Sequence, residues 1–251
     1  MIDLEKYRAS PMEQERAASL LGMIPPGQNT ALDIGARDGH LSCLMAERGM
    51  SVTALDLESP RISHPGVACI AGDATALPFP DEAFDLVLCA EVLEHIPSPH
   101  LERACAELQR VANRYLLIGT PFRQDIRVGR LTCKACGKVS PPWGHVNSFD
   151  ERRLRTLFDG FSPVRVEFVG VCDLPTNAIS TFLMDCAGNP WGNYDQDEVC
   201  VHCGGKFVAM PAPGLAGKIA AAISERLRRL QGRFFRRHGN WIHILFERPA
   251  T

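Results

Sequence analysis

No stretch of the 251 residues approaches the ~20 consecutive apolar residues that a membrane-spanning helix requires, and residues 1–10 hold no apolar run flanked by positive charge. A spanning helix and a secretory leader are therefore not expected, and the expected location is cytoplasmic. Low-complexity tracts are absent, and the only internal repetition is a pair of short cysteine motifs. Excess charge is also lacking: 27 basic against 29 acidic residues leave a net charge of -2, which gives no global attraction to nucleic acid. Aromatics are sparse at 7% of the chain.

What is present fits an ordinary globular protein, 45% hydrophobic and 22% charged, with one large domain or one domain plus a small module. The balanced total hides an asymmetry. Residues 212–251 contain eight Lys or Arg against two acids, a local charge of +6, so the remainder carries -8.

Ser10-Pro-Met-Glu13 reads as a helix start, with a capping hydroxyl and a glutamate three residues on, and Pro25-Pro-Gly27 ends the helix. Short apolar strands then alternate with helical patterns: 30–34, helix 39–48, 51–56, 67–71, 84–90, helix 99–111 and 114–119. This alternation predicts an α/β fold with a largely parallel, doubly wound sheet covered on both faces. Ala31-Leu-Asp-Ile-Gly-Ala-Arg-Asp-Gly-His40 places two glycines where a strand must turn tightly into a helix near a ligand, and Val52-Thr-Ala-Leu-Asp56 closes the next strand with a carboxylate suited to ribose hydroxyls. The first loop lacks the third spaced glycine of the dinucleotide fingerprint, which argues against a nicotinamide cofactor.

Further on stand Ala71-Gly-Asp-Ala-Thr-Ala-Leu-Pro-Phe-Pro80 and Phe84-Asp-Leu-Val-Leu-Cys-Ala-Glu-Val-Leu-Glu-His-Ile96. With the first loop, these segments resemble the class I S-adenosylmethionine-dependent methyltransferases, nearest the small-molecule "methyltransferase type 11" kind. The resemblance spans residues 30–120 and extends to 145–170. It implies a Rossmann-like seven-stranded sheet, with an antiparallel seventh strand between the fifth and sixth. It also implies a cofactor site: Asp33, Gly35 and Gly39 at the methionine part, Asp56 on the ribose, Asp73 with Ala74 at the adenine, and Ala90 and Glu91 at the methionine end. The family loop has glycine where Arg37 stands, and a bulky cation there narrows the room for close backbone approach.

Cys133-Lys-Ala-Cys136-Gly and Cys200-Val-His-Cys203-Gly each have the spacing by which a tight turn sets two thiolates on one metal. Four thiolates fill a tetrahedral site, so the expected ion is a structural zinc. Redox use is the competing reading, and His145 and His202 are spare ligands. Cys89, in an apolar strand, is expected in the core.

Methyl transfer needs alignment, exclusion of water and, for some acceptors, removal of a proton. Candidate catalytic residues are His145, in the loop Pro141-Pro-Trp-Gly-His, and His95 and Glu91, just after the fourth strand; Trp143 and Phe122 are candidate stacking residues. Ser148-Phe-Asp-Glu151 reads as another capped helix start, 164–169 as the sixth strand, and Thr181-Phe-Leu-Met184 as a possible strand. The helix from 215 to 237 carries Ile219, Ile223, Leu227, Leu230 and Phe234 on one stripe and is expected to pack through it, leaving a solvated basic face. The same helix is a candidate for an anionic membrane surface or a lipid-linked substrate.

The expected organisation is thus a core at 1–124 with an N-terminal helix, a first zinc-binding insertion at 125–147, core helix and strand at 148–170, a second insertion at 171–240 and a final strand at 241–251. The expected function is O- or N-methylation of a small or medium organic acceptor such as a sugar, a lipid-linked compound or a secondary metabolite. Two alternatives are an RNA methyltransferase that holds RNA with the zinc module and basic helix, nucleic acid being the less favoured partner, and a non-catalytic scaffold in which Arg37 blocks the cofactor. The sequence does not set an oligomeric state.

Overall fold

The computed structural model describes residues 8–249, so the extreme ends of the first and last expected segments, 1–7 and 250–251, lie outside it. The described chain forms two compact units, one of 8–10, Arg123–Ser148 and Val171–His238, the other of Pro11–Phe122, Phe149–Gly170 and 239–249.

The second unit is a mixed α/β structure. Its elements run α1 (Pro11–Met23), β1 (Thr30–Ile34), α2 (His40–Ala46), β2 (Ser51–Asp56), β3 (Val67–Ala71), β4 (Phe84–Ala90), a 3-10 turn (Leu93–His95), α3 (Ser98–Val111) and β5 (Ala112–Pro121). After the excursion into the other unit come α4 (Glu151–Leu157) and β8 (Ser162–Val169), and later β9 (Trp241–Glu247). The sheet order is β3-β2-β1-β4-β5-β9-β8. β1 to β5 are parallel neighbours, while β9 runs antiparallel to both β5 and β8.

Both faces of this sheet are buried, which explains the unbroken apolar runs of β4 and β5. Alternate side chains go to opposite layers. Val87, Cys89, Leu116 and Ile118 share one core cluster with Leu101 and Leu108 of α3, whereas Leu86, Leu88 and Leu117 share the other with Leu20 of α1 and Met45 of α2. The order reverses between β1 and β4, and the loops leaving their carboxyl ends form the crevice in which such sheets bind ligands.

The other unit contains the hairpin β6 (Leu131–Thr132) and β7 (Val139–Ser140), a 3-10 turn (Pro142–Gly144), α5 (Ala178–Cys186) and α6 (Leu215–Gly232). No helix among the described residues is long and apolar enough to cross a membrane.

Three local expectations are corrected, whereas the helix start read at Ser10-Pro-Met-Glu13 coincides with the start of α1 at Pro11. Thr181–Met184 lies in α5, not in a strand, because Asn177 and Ser180 close a capping box in which each side chain takes the other's backbone N–H. The cap of α4 is Asp150, which accepts from Arg153 N at 2.8 Å, rather than Ser148. Finally, α6 stops at Gly232 instead of Arg237 and does not pack through its apolar stripe. Ala221 and Ser224 are its buried residues, and Ile219, Ile223, Leu230 and Phe234 are 52%, 47%, 46% and 93% exposed. Small residues on the opposite side give the reason: Ser224 Oγ donates to Ser180 O of α5 at 2.6 Å, an approach that a bulky side chain there would block.

Candidate functional site

The loop after β1 is built on two left-handed glycines. Gly35 has φ 72° and Gly39 φ 77°; a Cβ on the first would meet Val92 Cγ2 at 2.3 Å, and one on the second Ile62 Cδ1 at 2.3 Å. Glycine is thus required twice over, for the backbone and for the close approach of the β4 loop and of Ile62. Arg37 between them also takes a positive φ, 46°. That conformation accounts for glycine being the residue expected at this position, and Arg37 holds it with an exposed side chain while its N–H donates to Asp56 Oδ2 at 2.9 Å.

Three expected binding residues sit at strand ends of one unit. Asp33, near the end of β1, is buried and accepts from Ser42 Oγ at 2.5 Å. Asp56 ends β2; its Oδ1 accepts from Leu57 N at 2.7 Å, and Leu57 beside it is 76% exposed. Asp73, with Ala74, forms the turn after β3: Thr75 N and Oγ1 both donate to its Oδ1 at 2.8 Å, and these bonds hold its carboxyl below the ordinary range.

Ala90 ends β4 and Glu91 follows in a left-handed conformation, φ 58°. Trp241 Nε1 donates to Glu91 Oε2 at 3.1 Å, while Oε1 is buried without a partner. Burial raises the Glu91 carboxyl, an effect opposed by Arg16 and by the Trp241 bond. Glu94 is fully buried with neither carboxylate oxygen bonded, and burial pushes its carboxyl well above the usual range, with the neighbouring Glu91 adding to the rise. Thr120 Oγ1, at the end of β5, and His243 Nε2, in β9, are further buried atoms without partners. His243 Nδ1 lies 2.8 Å from Ser19 Oγ, which donates to Glu167 at 2.5 Å. A buried polar atom left unbonded costs about 1–3 kcal/mol.

Of the three candidate catalytic residues, Glu91 and His95 belong to this unit. His95 ends the 3-10 turn, and burial, aided by the Arg37 charge, lowers it to about 4, leaving the ring neutral near pH 7. His145 belongs to the other unit, is 7% exposed and has Nδ1 2.7 Å from Gln124 Oε1. Because that oxygen can only accept, Nδ1 is the donor in this bond.

Glu94, Thr120, Trp241 and His243 escape a motif reading. Glu94 lies within the quoted Glu-Val-Leu-Glu-His segment, but nothing in its spacing announces a buried acid. The others are joined to it only by strand pairing, such as Gly119 opposite His243.

The cysteine unit shows two matching turns. Gly137 N donates to Cys133 O and Gly204 N to Cys200 O, both at 2.8 Å; Cys133 N donates to Lys138 O and Cys200 N to Gly205 O, both at 2.9 Å. Gly137 and Gly204 have φ 71° and 68°. Cys133 Sγ lies 3.7 Å from Cys203 Sγ, Cys136 Sγ 3.7 Å from Cys200 Sγ, and all four sulfurs fall within 4.8 Å of one another. A disulfide has sulfurs about 2.05 Å apart, whereas a tetrahedron of zinc–sulfur bonds of about 2.3 Å separates them by about 3.8 Å. The donor set therefore fits zinc. Ser140 Oγ donates to Cys200 Sγ at 3.4 Å; burial raises that thiol, but this bond and the N–H groups of His202 and Cys203 bring it down to about 6. His202 stays outside the cluster, its Nε2 3.0 Å from Val139 O.

The seven-stranded sheet with its inserted antiparallel strand is the Rossmann-like fold of the methyltransferases. Residues 32–115 match the methyltransferase domain family. The chain is 41% identical over 91 residues to a demethylmenaquinone methyltransferase of Renibacterium salmoninarum, covering 34% of this chain and 37% of that one. It is 36% identical over 99 residues to a ubiquinone biosynthesis O-methyltransferase of Pseudomonas paraeruginosa, covering 35% and 43%. A SAM-dependent methyltransferase structure from Archaeoglobus fulgidus is similar with a TM-score of 0.55 at 15% identity, over 97% of this chain and 96% of the other. Matches to the curated relatives span between 31% and 43% of their length. The domain match and the names of the relatives agree that residues 32–115 are similar to methyltransferase domains.

Proposed function

We propose that the protein transfers a methyl group from S-adenosylmethionine to an oxygen or nitrogen of a small or medium organic acceptor. The observation that carries this reading is the row of acids at the carboxyl ends of β1, β2 and β4 around the Gly35–Gly39 loop, inside the stretch that matches the methyltransferase domain. Asp33, Gly35 and Gly39 would hold the methionine part, Asp56 the ribose, Asp73 and Ala74 the adenine, and Ala90 and Glu91 the methionine end. When bound, the cofactor supplies an electrophilic methyl group on a sulfonium. The chain aligns the acceptor, keeps water out and, where a proton must leave, takes it up on His95 or Glu91; His145 is the candidate base that lies in the other unit. The quinone-related names of the relatives favour an organic acceptor over RNA.

Calorimetric titration of S-adenosylmethionine and S-adenosylhomocysteine tests the reading, with Asp56→Ala as control. Micromolar binding that the control loses is expected; absence of binding in folded wild-type protein would overturn it and favour the scaffold alternative, which Arg37→Gly then probes. Salt-sensitive retention of RNA would favour the RNA alternative, since phosphate contacts release counterions.

Two further parts belong to this proposal. Cys133, Cys136, Cys200 and Cys203 would hold one structural zinc that leaves no coordination position open for chemistry. The exposed stripe of Ile219, Ile223, Leu230 and Phe234, flanked by Arg226, Arg229 and Arg233, would lie on an anionic membrane surface, the setting in which a lipid-linked acceptor is met.

A further inference from the structure

β8 is an outer strand of the seven-stranded sheet: β9 lies on one side of it, and among the described residues no strand lies on the other. An outer strand presents a row of backbone N–H and C=O groups open to pairing, and folded proteins blunt such edges with like charges, proline or a bulge. β8 begins with two of these devices, Pro163 and the register shift between Pro163 and Arg165. Beyond them it exposes apolar side chains at the edge, Val164 by 52% and Phe168 by 49%.

The charges of this strand do not repel a copy of itself. Arg165 and Glu167 stand two residues apart and share one face. Arg165 donates to Glu167 Oε1 at 2.5 Å and to Gly22 O at 2.8 Å, while Ser19 Oγ donates to Glu167 Oε2 at 2.5 Å. These bonds hold both charged groups beside the edge, yet the arginine side chain remains 50% and the glutamate side chain 28% exposed.

Laid antiparallel against its own copy about a two-fold axis at Val166, the segment Val164-Arg-Val-Glu-Phe168 is self-complementary. Arg165 of each copy stands opposite Glu167 of the other, Val164 opposite Phe168, and Val166 opposite itself. The register is specific. A shift of one residue sets each charge against an apolar side chain, and a shift of two sets Arg165 against Arg165 or Glu167 against Glu167. We infer that two copies of the chain pair through β8 in this register, joining two seven-stranded sheets edge to edge. The occupant is a second copy because the complementarity is of the segment to itself. The inference concerns the sheet-bearing unit alone and does not rest on the methyltransferase reading.

Only residues 164–168 of each copy pair, so the contact belongs to the small, weak class, and sedimentation equilibrium of the whole chain from about 5 to about 500 µM is the test. The wild type is expected to form a dimer in this range. Arg165→Glu sets acid against acid at both pairs and Glu167→Arg sets base against base, so each variant alone should dimerise at least about tenfold more weakly. An equimolar mixture of the two restores both opposite-charge pairs in a heterodimer and should associate as the wild type does. That recovery also shows that the variants are folded. A dimer unweakened by either reversal, or a mixture that does not recover association, would overturn the inference. So would a monomeric wild type, which would leave this edge to a strand of some other protein.

Discussion

Trp241 and Glu91, 150 positions apart, are joined by a single hydrogen bond from indole Nε1 to carboxylate Oε2 at 3.1 Å. It ties the first residue of β9 to the residue that follows β4, across the end of β5. Trp241→Phe keeps most of the buried ring and removes the donor, so Oε2 loses its bond and neither Glu91 oxygen is left with a partner. The expected cost is about 1–3 kcal/mol in urea unfolding, together with weaker S-adenosylhomocysteine binding. Unchanged stability would show that Glu91 does not depend on this bond.

His243 gives the acid limb of stability a source. Burial lowers its folded value to about 3, with Arg16 contributing. A histidine depressed by folding takes its proton more readily when unfolded, so its contribution is full above the unfolded value of about 6.5 and is lost as pH falls toward the folded one. From pH 7 to pH 5 this residue alone should remove about 2 kcal/mol. The wild-type chain should therefore lose about that much more than His243→Gln over this interval, read from urea midpoints at both pH values. Parallel losses in the two proteins would exclude the assignment.

Neighbouring positions in the first loop should respond oppositely to substitution. Gly35→Ala combines a left-handed backbone with a 2.3 Å approach to Val92, for an expected loss of at least about 2 kcal/mol and of cofactor binding. Arg37→Gly removes a strained residue but loosens the unfolded chain, so the net change should stay below about 1 kcal/mol, with cofactor binding retained or strengthened. Thermal unfolding and S-adenosylhomocysteine titration of the two variants measure both effects.

Metal content distinguishes the four-thiolate centre from free thiols. Purified protein should carry one zinc per chain, released by Cys203→Ser but not by Cys186→Ser, whose thiol lies outside the cluster. A structural zinc is held by about 10–16 kcal/mol near pH 7, so dialysis against buffer should not remove it, whereas acid should as the thiolates are protonated. Equal zinc in both variants would refute the shared site.

The exposed stripe on α6 predicts association with vesicles containing anionic lipid and not with neutral ones. Phe234→Glu together with Ile223→Glu should reduce the bound fraction at least tenfold without altering the zinc content. Each basic residue near an anionic surface is worth about 1 kcal/mol, so raised salt should also weaken binding. Equal binding of the variant and the wild type in a sedimentation assay would dismiss this surface.

The strands of the seven-stranded sheet were legible as apolar runs flanked by turn residues, and the place of its antiparallel strand followed from the family resemblance. The acids at 33, 56 and 73 were legible because they end those runs. The cysteine pairs showed themselves through spacing alone. The face on which α6 packs did not, since periodicity marks a stripe without saying what covers it, and Gly217, Ala221 and Ser224 carried no hydrophobic signal. Glu94, Thr120 and His243 were hidden for a related reason: a buried polar residue looks like any other until strand pairing places it beside the rest.

β9 has a bearing on how the chain is made. It follows the other six strands of its sheet in the chain, yet it lies inside the sheet, hydrogen-bonded to β5 on one side and β8 on the other. Until residues 241–247 emerge, both neighbours present open edges, of the kind that recruit strands from other chains. Stalled or truncated synthesis between 170 and 240 should therefore yield aggregates rather than a smaller soluble domain, and holding those edges apart from other nascent chains becomes the task of whatever attends the ribosome.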